Sequence, residues 1–262
     1  LRSKNEPVSR VTIVRELDWL IKNNFITKEG AGRSIKYRTK QSSPLLRYFE
    51  PDSYFFKDVD DRNIIEHFNF EVFDQFTTLF SASELTHLTQ LTNHYQKNLN
   101  KLSKEQHQKE IERLTIELSW KSSQIEGNTY TLLDTEALIK EKRLAPNTTQ
   151  EEASMILNHK TAIDYIFANT THYKVLSVRK IEDIHRLLVA NLNVNNGLRE
   201  GLIRITGTKY IPLSTIYQIQ ESLKRMVKIV NQYDDVFHKA LITIVLISYI
   251  QPFMDGNKRT GR

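Results

Sequence analysis

The sequence predicts a mostly α-helical protein with one β-hairpin in its C-terminal part, preceded by a small basic α+β module. Three observations carry that prediction. From Ser103 onward, apolar residues recur at helical spacing in successive segments. Glycine (8) and proline (6) are scarce among 262 residues, which argues against a turn-rich β architecture. The net charge of +6 resides entirely in residues 1–40. There Arg2, Lys4, Arg10, Arg15, Lys22, Lys28, Arg33, Lys36, Arg38 and Lys40 face only Glu6, Glu16, Asp18 and Glu29. Acids and bases balance in the rest of the chain.

Residues 9–25 have a helical period, with Val11, Val14, Leu17, Leu20 and Ile21 on one face, Ser9 as N-cap and Asn23-Asn24 at the end. Two short β-prone runs follow around Gly30-Ala31-Gly32 and read as a hairpin. A helix followed by a basic hairpin resembles the recognition helix and wing of a winged helix-turn-helix, here only in part, over residues 1–40. That resemblance implies DNA as a partner, with Arg10, Arg15, Arg33 and Lys36 as contact candidates: the helix in the major groove, the wing on phosphates. A basic docking module that touches only protein fits the same residues.

Residues 41–102 read as a helical connector, with a linker at Gln41–Pro44 and a turn at Pro51-Asp52-Ser53. Ser103 and Gln106 form a capping box, opening a helix whose stripe is Ile111, Leu114, Leu118 and Ile125 and which ends near Gly127-Asn128. A second helix over Thr149–Phe167 buries Met155, Ala162 and Ile166; a third, Val178–Leu192, turns Ile181, Ile184, Leu188 and Leu192 inward. The pattern between Gly197 and Leu213 is two short strands around Thr206-Gly207-Thr208. Helices resume over Thr215–Asn231 and Val236–Tyr249.

Composition narrows the function classes. With 39% hydrophobic residues the chain is an ordinary soluble globular protein, and its longest apolar stretch, Ala240–Ile250, is too short to span a membrane. The absence of cysteine excludes disulfides and thiolate chemistry. With no leader visible at Leu1, the expectation is a cytoplasmic protein with no membrane partner; homodimerisation stays open.

The chemistry sits at residues 251–262, QPFMDGNKRTGR. A helix stops at Pro252 and opens into a loop with one carboxylate, one glycine, one amide and several cations. Gly256 lets the backbone approach a ligand, the amides of a following helix suit an anion, and arginines hold phosphate oxygens bidentately. A lone Asp255 beside them suits a phosphate-bound magnesium ion. The segment does not fit the GxxxxGK[ST] phosphate loop. Read by composition alone, a basic surface loop fits equally well.

The segment resembles the Fic signature, H-P-F-x-[DE]-G-N-[GK]-R-x-x-R, at every defined position except the first. Ser122-Ser123-Gln124-Ile125-Glu126-Gly127-Asn128 resembles the [ST]-x-x-x-E-[GN] inhibitory motif of that family, which places an inhibitory helix at 103–128 within a Fic domain at 103–262. The hairpin of Thr206, Gly207, Thr208, Lys209 and Tyr210, after Gly197, Arg199 and Gly201, sits where the family has its target-docking flap. The resemblance implies ATP-dependent transfer of AMP to a Ser, Thr or Tyr hydroxyl of a target protein. Asp255 would hold Mg²⁺, and Gly256, Asn257 and Lys258 would cradle the α-phosphate. Arg259, Thr260, Gly261 and Arg262 complete the ATP site, with Arg262 orienting the γ-phosphate. Glu126, carried by the Ser122–Gly127 motif, would pair with Arg262 and hold the enzyme in check.

Two departures bear on activity. Gln251 stands where the family has the histidine that deprotonates the incoming hydroxyl, and a glutamine does not titrate. Loss of such a base costs about 10²–10⁴-fold in rate. Lys258 is shared with the Doc-type phosphotransferases, which bind ATP in reverse. The leading expectation is therefore autoinhibited adenylylation impaired at Gln251. The alternatives are a non-catalytic ATP-binding switch and Doc-like phosphotransfer.

Overall fold

The structure, a computed structural model, describes residues 9–22, 26–39, 50–77 and 79–262. The linker expected at Gln41–Pro44 and the helix end expected at Asn23-Asn24 lie outside these. The described elements run α1 (Arg10–Lys22), β1 (Ile26–Glu29), β2 (Lys36–Thr39), α2 (Pro51–Phe56), α3 (Ala82–Leu99), α4 (Lys104–Ile125), α5 (Leu132–Glu141) and α6 (Gln150–Ala168). They continue with α7 (Thr170–Tyr173), α8 (Val178–Leu188), α9 (Ile216–Gln232), α10 (Val236–Ile250) and α11 (Asn257–Gly261).

The predominance of helix expected from the sequence is found. In the N-terminal module, β1 pairs antiparallel with β2, Ile26 opposite Thr39 and Glu29 opposite Lys36, so the expected hairpin forms. The Oγ of Ser9 accepts from the Thr12 amide, as an N-cap should. No described side chain in this module is buried. Of the expected apolar face, Leu17, Leu20 and Ile21 are half-buried, but Val11 and Val14 are exposed.

Capping boxes set the helix starts. Ser103 with Gln106 opens α4, as expected, and the same device recurs at Ser81/Glu84, Thr131/Asp134 and Thr149/Glu152. Pro51 begins α2 rather than marking a turn, because its fixed φ suits the first helical position.

The main core joins α8, α9 and α10 to the segment before α3. Ile181, Ile219, Leu223, Met226, Val230, Ile242, Leu246, Ile247 and Ile250 pack with Phe73, Phe76 and Leu79, and Phe253 of the motif loop plugs into the same cluster. Each such side chain contributes about 1.5–3 kcal/mol through burial. A second cluster joins α4, α5 and α6 through Ile116, Tyr130, Leu138, Ile139, Ala153 and Ile156.

Three expected faces need correction. In α4 the buried residues are Thr115, Ile116, Ser119, Ser122 and Ser123, whereas Leu118 and Ile125 are exposed. The apolar stripe misled because this helix, packed on α6, turns hydroxyls and not only alkyl groups inward, Ser122 among them toward Arg262. In α6, Ala153, Ile156, Asn158, His159 and Ala162 face inward; Met155 is half-buried and Ile166 exposed. The helix α8 ends at Leu188, leaving Leu192 beyond it and half-buried, while Ile181, Ile184 and Leu188 are buried as expected.

The expected flap hairpin forms no ladder between its two arms. Thr206 and Gly207 make a turn, with Gly207 at φ +80°, and the one bridge described for this segment is parallel, from Ile211 to His67. The arm after the turn pairs with the connector rather than with the arm before it.

Candidate active site

The motif loop begins where α10 ends. Gln251 is the C-cap of that helix, in the left-handed region at φ +52°, and is 8% exposed. Its Nε2 donates to the Ser248 carbonyl at 2.7 Å, which folds the amide back onto the helix end. His238, the histidine earlier in the same helix, is held elsewhere: its Nδ1 lies 2.7 Å from Asp235 and its ring stacks on Tyr233.

The loop is held through its backbone. Arg199, 2% exposed, donates from Nε to the Gln251 carbonyl and from Nη1 to the Gly201 carbonyl, both at 2.6 Å. Its amide donates to the Pro252 carbonyl at 2.9 Å. The Asn257 side chain closes the next turn, accepting from the Phe253 amide and donating to the Phe253 carbonyl, each at 2.8 Å. Both of its groups are thus engaged inside the loop. His185 of α8 is fully buried, stacks on Phe253 at 3.7 Å between centroids, and places Nε2 3.0 Å from the Asp255 carbonyl. Burial lowers the His185 pKa, with Arg259 adding to the effect.

Gly256 is required twice over. Its φ is +74°, and a Cβ there would meet the Val189 side chain at 3.3 Å. Past it, α11 begins with amides that have no intrahelical acceptors. Arg259 is 3% exposed, and its Nη2 donates to Asp255 Oδ2 at 2.7 Å, while its Nε and Nη1 are buried without a protein partner among the described residues. A buried guanidinium with two unmet donors has the chemistry to accept an anion. Asp255 keeps about half of its side chain exposed. It can therefore meet Arg259 on one side and a solvated cation on the other. Among the described residues no cluster of three or more His, Cys, Asp or Glu could hold a metal. Asp255 fits only a cation that takes its other ligands from phosphate and water. Lys258 is exposed and Thr260 bonds back to the Gly256 carbonyl.

Glu126 meets Arg262 across 136 residues, Oε1 to Nη2 at 2.7 Å, and Ser122 accepts from Arg262 through both its hydroxyl and its carbonyl. The contact is prepared locally. Gly127, at φ +93°, ends α4. Asn128 then donates to the Glu152 carbonyl, and the Thr129 amide and hydroxyl reach the Glu152 carboxylate. These bonds, the Thr129 hydroxyl foremost, hold the Glu152 carboxyl well below the usual range.

Sequence reasoning missed a set of buried polar groups on the inward faces of α4 and α6. Ser119 and Ser123 Oγ and both ring nitrogens of His159 are buried without partners among the described residues. Burial first, then Arg262 and Arg259, push the His159 pKa down to about 4. His159 and His185 both sit on inward helix faces, alongside Ala162 and Ile184 respectively; that placement was the available signal.

Of the flap residues, Lys209 donates to the Asp60 carbonyl at 2.9 Å, and Tyr210 donates its hydroxyl to the Tyr249 carbonyl at 2.7 Å. The DNA-contact candidates are not brought together with this site. Arg10, Arg15 and Lys36 are exposed in the N-terminal module, and the Arg33 side chain lies outside those described.

A family model described as the Fic/DOC family matches residues 175–262. Among curated proteins, the chain is similar to a Caenorhabditis elegans protein named Protein adenylyltransferase fic-1, 25% identical over 53% of this chain. It is also 25% identical, over 54% of this chain, to a Nematostella vectensis protein named Protein adenylyltransferase Fic. The match spans only 28% and 34% of those two proteins. Among solved structures, a Bacteroides thetaiotaomicron Fic domain containing signaling protein aligns with TM-score 0.55 and 18% identity, over 66% of this chain and 68% of its own. C. elegans Fic-1 (aa134 - 508) aligns with TM-score 0.54 and 19% identity, over 69% of this chain and 56% of its own. The fold is shared with both. No described helix is long and apolar enough to cross a membrane. The loop held by Arg199 and His185 thus lies within residues 175–262, the part of this chain that is similar to the Fic/DOC family.

Proposed function

We propose that this chain is the ATP-binding module of a protein adenylyltransferase, checked by Glu126 and slowed at Gln251. The observation that carries the reading is Arg259, buried with two unmet donors beside a half-exposed carboxylate and next to an arginine that Glu126 already holds. Arg259 would bind the β- and γ-phosphate region, and the first amides of α11 would face the α-phosphate. Arg262, once released by Glu126, would orient the γ-phosphate. A magnesium ion at Asp255 would supply neutralisation of phosphate charge. In the transfer, a target hydroxyl oxygen bonds to the α-phosphorus, the bond to the β-phosphate bridging oxygen breaks, and pyrophosphate leaves. Positioning and charge stabilisation supply most of the acceleration. The hydroxyl proton needs an acceptor, and Gln251 is not one.

A second reading, a nucleotide-binding switch without transfer, is favoured by the Gln251 amide, whose Nε2 is bonded to its own helix at the position where a base should wait.

The test is transfer of α-labelled ATP to protein with Mg²⁺ and cell lysate. It compares the chain with Gln251→His and with Gln251→His plus Glu126→Gly. Label should appear only in the histidine forms, about 10²–10⁴-fold above the parent, and should be stronger in the double variant. Absence of label in all three would overturn adenylylation and leave the switch. Label from γ- but not α-labelled ATP would point instead to phosphotransfer.

A further inference from the structure

The segment from Phe55 to Asn69 packs against the flap and the end of α10, and the adenylylation reading gives it no role. Arg62 is its pin. Its Nη1 donates to the Gly207 carbonyl at 2.8 Å, while Nε and Nη2 donate to the Lys57 carbonyl and Nη2 to that of Phe55. The guanidinium also lies over the rings of Tyr54 and Phe55, at 5.3 and 5.4 Å. In return, Lys209 of the flap donates to the Asp60 carbonyl and lies 3.6 Å from Glu66. The Ile211 amide donates to the Glu66 carbonyl at 2.6 Å, within the parallel bridge to His67.

Both partners then meet on one ring. Tyr249 is stacked by Phe68 at 4.6 Å and by Tyr210 at 4.9 Å. The Tyr249 hydroxyl accepts from the Asn69 amide, and its carbonyl accepts from the Tyr210 hydroxyl. Tyr249 precedes Gln251 by two residues at the end of the same helix. The flap is therefore tied to the position of residue 251 through Tyr249, and the connector clamps it from the other side.

The clamp takes the Ile211 amide, while the Tyr210 amide donates to the Thr208 hydroxyl at 3.1 Å and Pro212 has no amide to offer.

We propose that residues 55–69 are a positioning splint for the flap, with Arg62 as the positioning residue that sets its distance from residue 251. The splint acts on target docking, not on nucleotide binding, and this rests on the adenylylation reading for its consequence but not for its geometry.

The experiment has two arms. In the chain as it stands, hydrogen exchange of the 207–211 amides is compared between parent, Arg62→Ala and Arg62→Lys. Loss of a charged hydrogen bond should speed exchange about tenfold in the alanine variant and less in the lysine one, with the amides of Arg199 and Phe253 unchanged. In the Gln251→His background, Arg62→Ala should raise KM for the target protein with kcat and ATP affinity little altered, and Arg62→Lys should recover part of the loss. Unchanged exchange at 207–211 would overturn the splint. So would increased transfer by Arg62→Ala, which would make the segment a competitor for the flap. If no Gln251→His form transfers AMP, the adenylylation reading fails while the exchange arm still decides the splint.

Discussion

Residues 251–262 and residues 9–39 are both rich in basic side chains, and the two regions use them in opposite ways. In the first, Arg259 is almost wholly buried, the Arg262 side chain is mostly covered, and Arg199 is sealed beneath; each is aimed at carbonyls or a carboxylate within 2.6–3.2 Å. In the second, Arg15 lies 3.9 Å from Glu16 with both side chains largely exposed, and Arg38 meets Glu29 at 2.7 Å in the open. Exposed pairs of this kind contribute about 0–1 kcal/mol, whereas a buried cation must have its donors met or its surroundings suffer. Charge count alone does not separate the regions; burial does.

The contrast breaks most visibly at Arg199. Its replacement by alanine, Arg199→Ala, removes two side-chain bonds to backbone carbonyls from a sealed site. It should cost on the order of 3–4 kcal/mol in urea unfolding. A cost under about 1 kcal/mol would mean that the loop holds itself without Arg199.

Next comes His159. Its folded pKa of about 4 lies below the ordinary value of 6.5, so between these values the unfolded chain binds more protons than the folded one. Stability contributed by keeping it neutral is therefore present above pH 6.5 and lost as pH falls toward 4. The loss should reach on the order of 2–3 kcal/mol, and a His159→Leu variant should show correspondingly less. His185, shifted in the same direction, adds to the loss in both proteins.

The smallest effect belongs to the basic module. Removing everything before residue 50 should change the unfolding free energy of the rest by about 0.5 kcal/mol or less, because no described side chain there is buried. If the module contacts DNA, the same truncation abolishes a salt-dependent mobility shift; no shift by the parent at low salt would end that idea.

Much of this was legible in the sequence. The capping box at Ser103, the helix at Val236–Tyr249 and the Glu126–Arg262 pairing were all readable, since each rests on local spacing or a spelled motif. The inward faces of α4 and α6 were not, because they pack on a polar site and bury serine, asparagine and histidine where periodicity looks for alkyl groups. The roles of Arg199, His185 and Tyr249 were hidden for a different reason. Most of their partners are backbone groups and rings at least 39 residues away, and no local pattern encodes them. The flap reading failed in its pairing for the same reason: its strand partner is His67, far upstream in the chain.

The frame under the motif grips main-chain atoms: the Arg199 side chain takes the carbonyl of residue 251 and its amide takes that of residue 252, whatever side chains these positions carry. Position 251 is thus a socket whose occupant can be exchanged without disturbing the socket. Its left-handed backbone suits histidine at least as well as glutamine. On the adenylylation reading, a single codon could silence or restore proton removal here while the Asp255–Arg259 and Glu126–Arg262 pairs stay in place, so that binding and turnover would be free to be inherited separately.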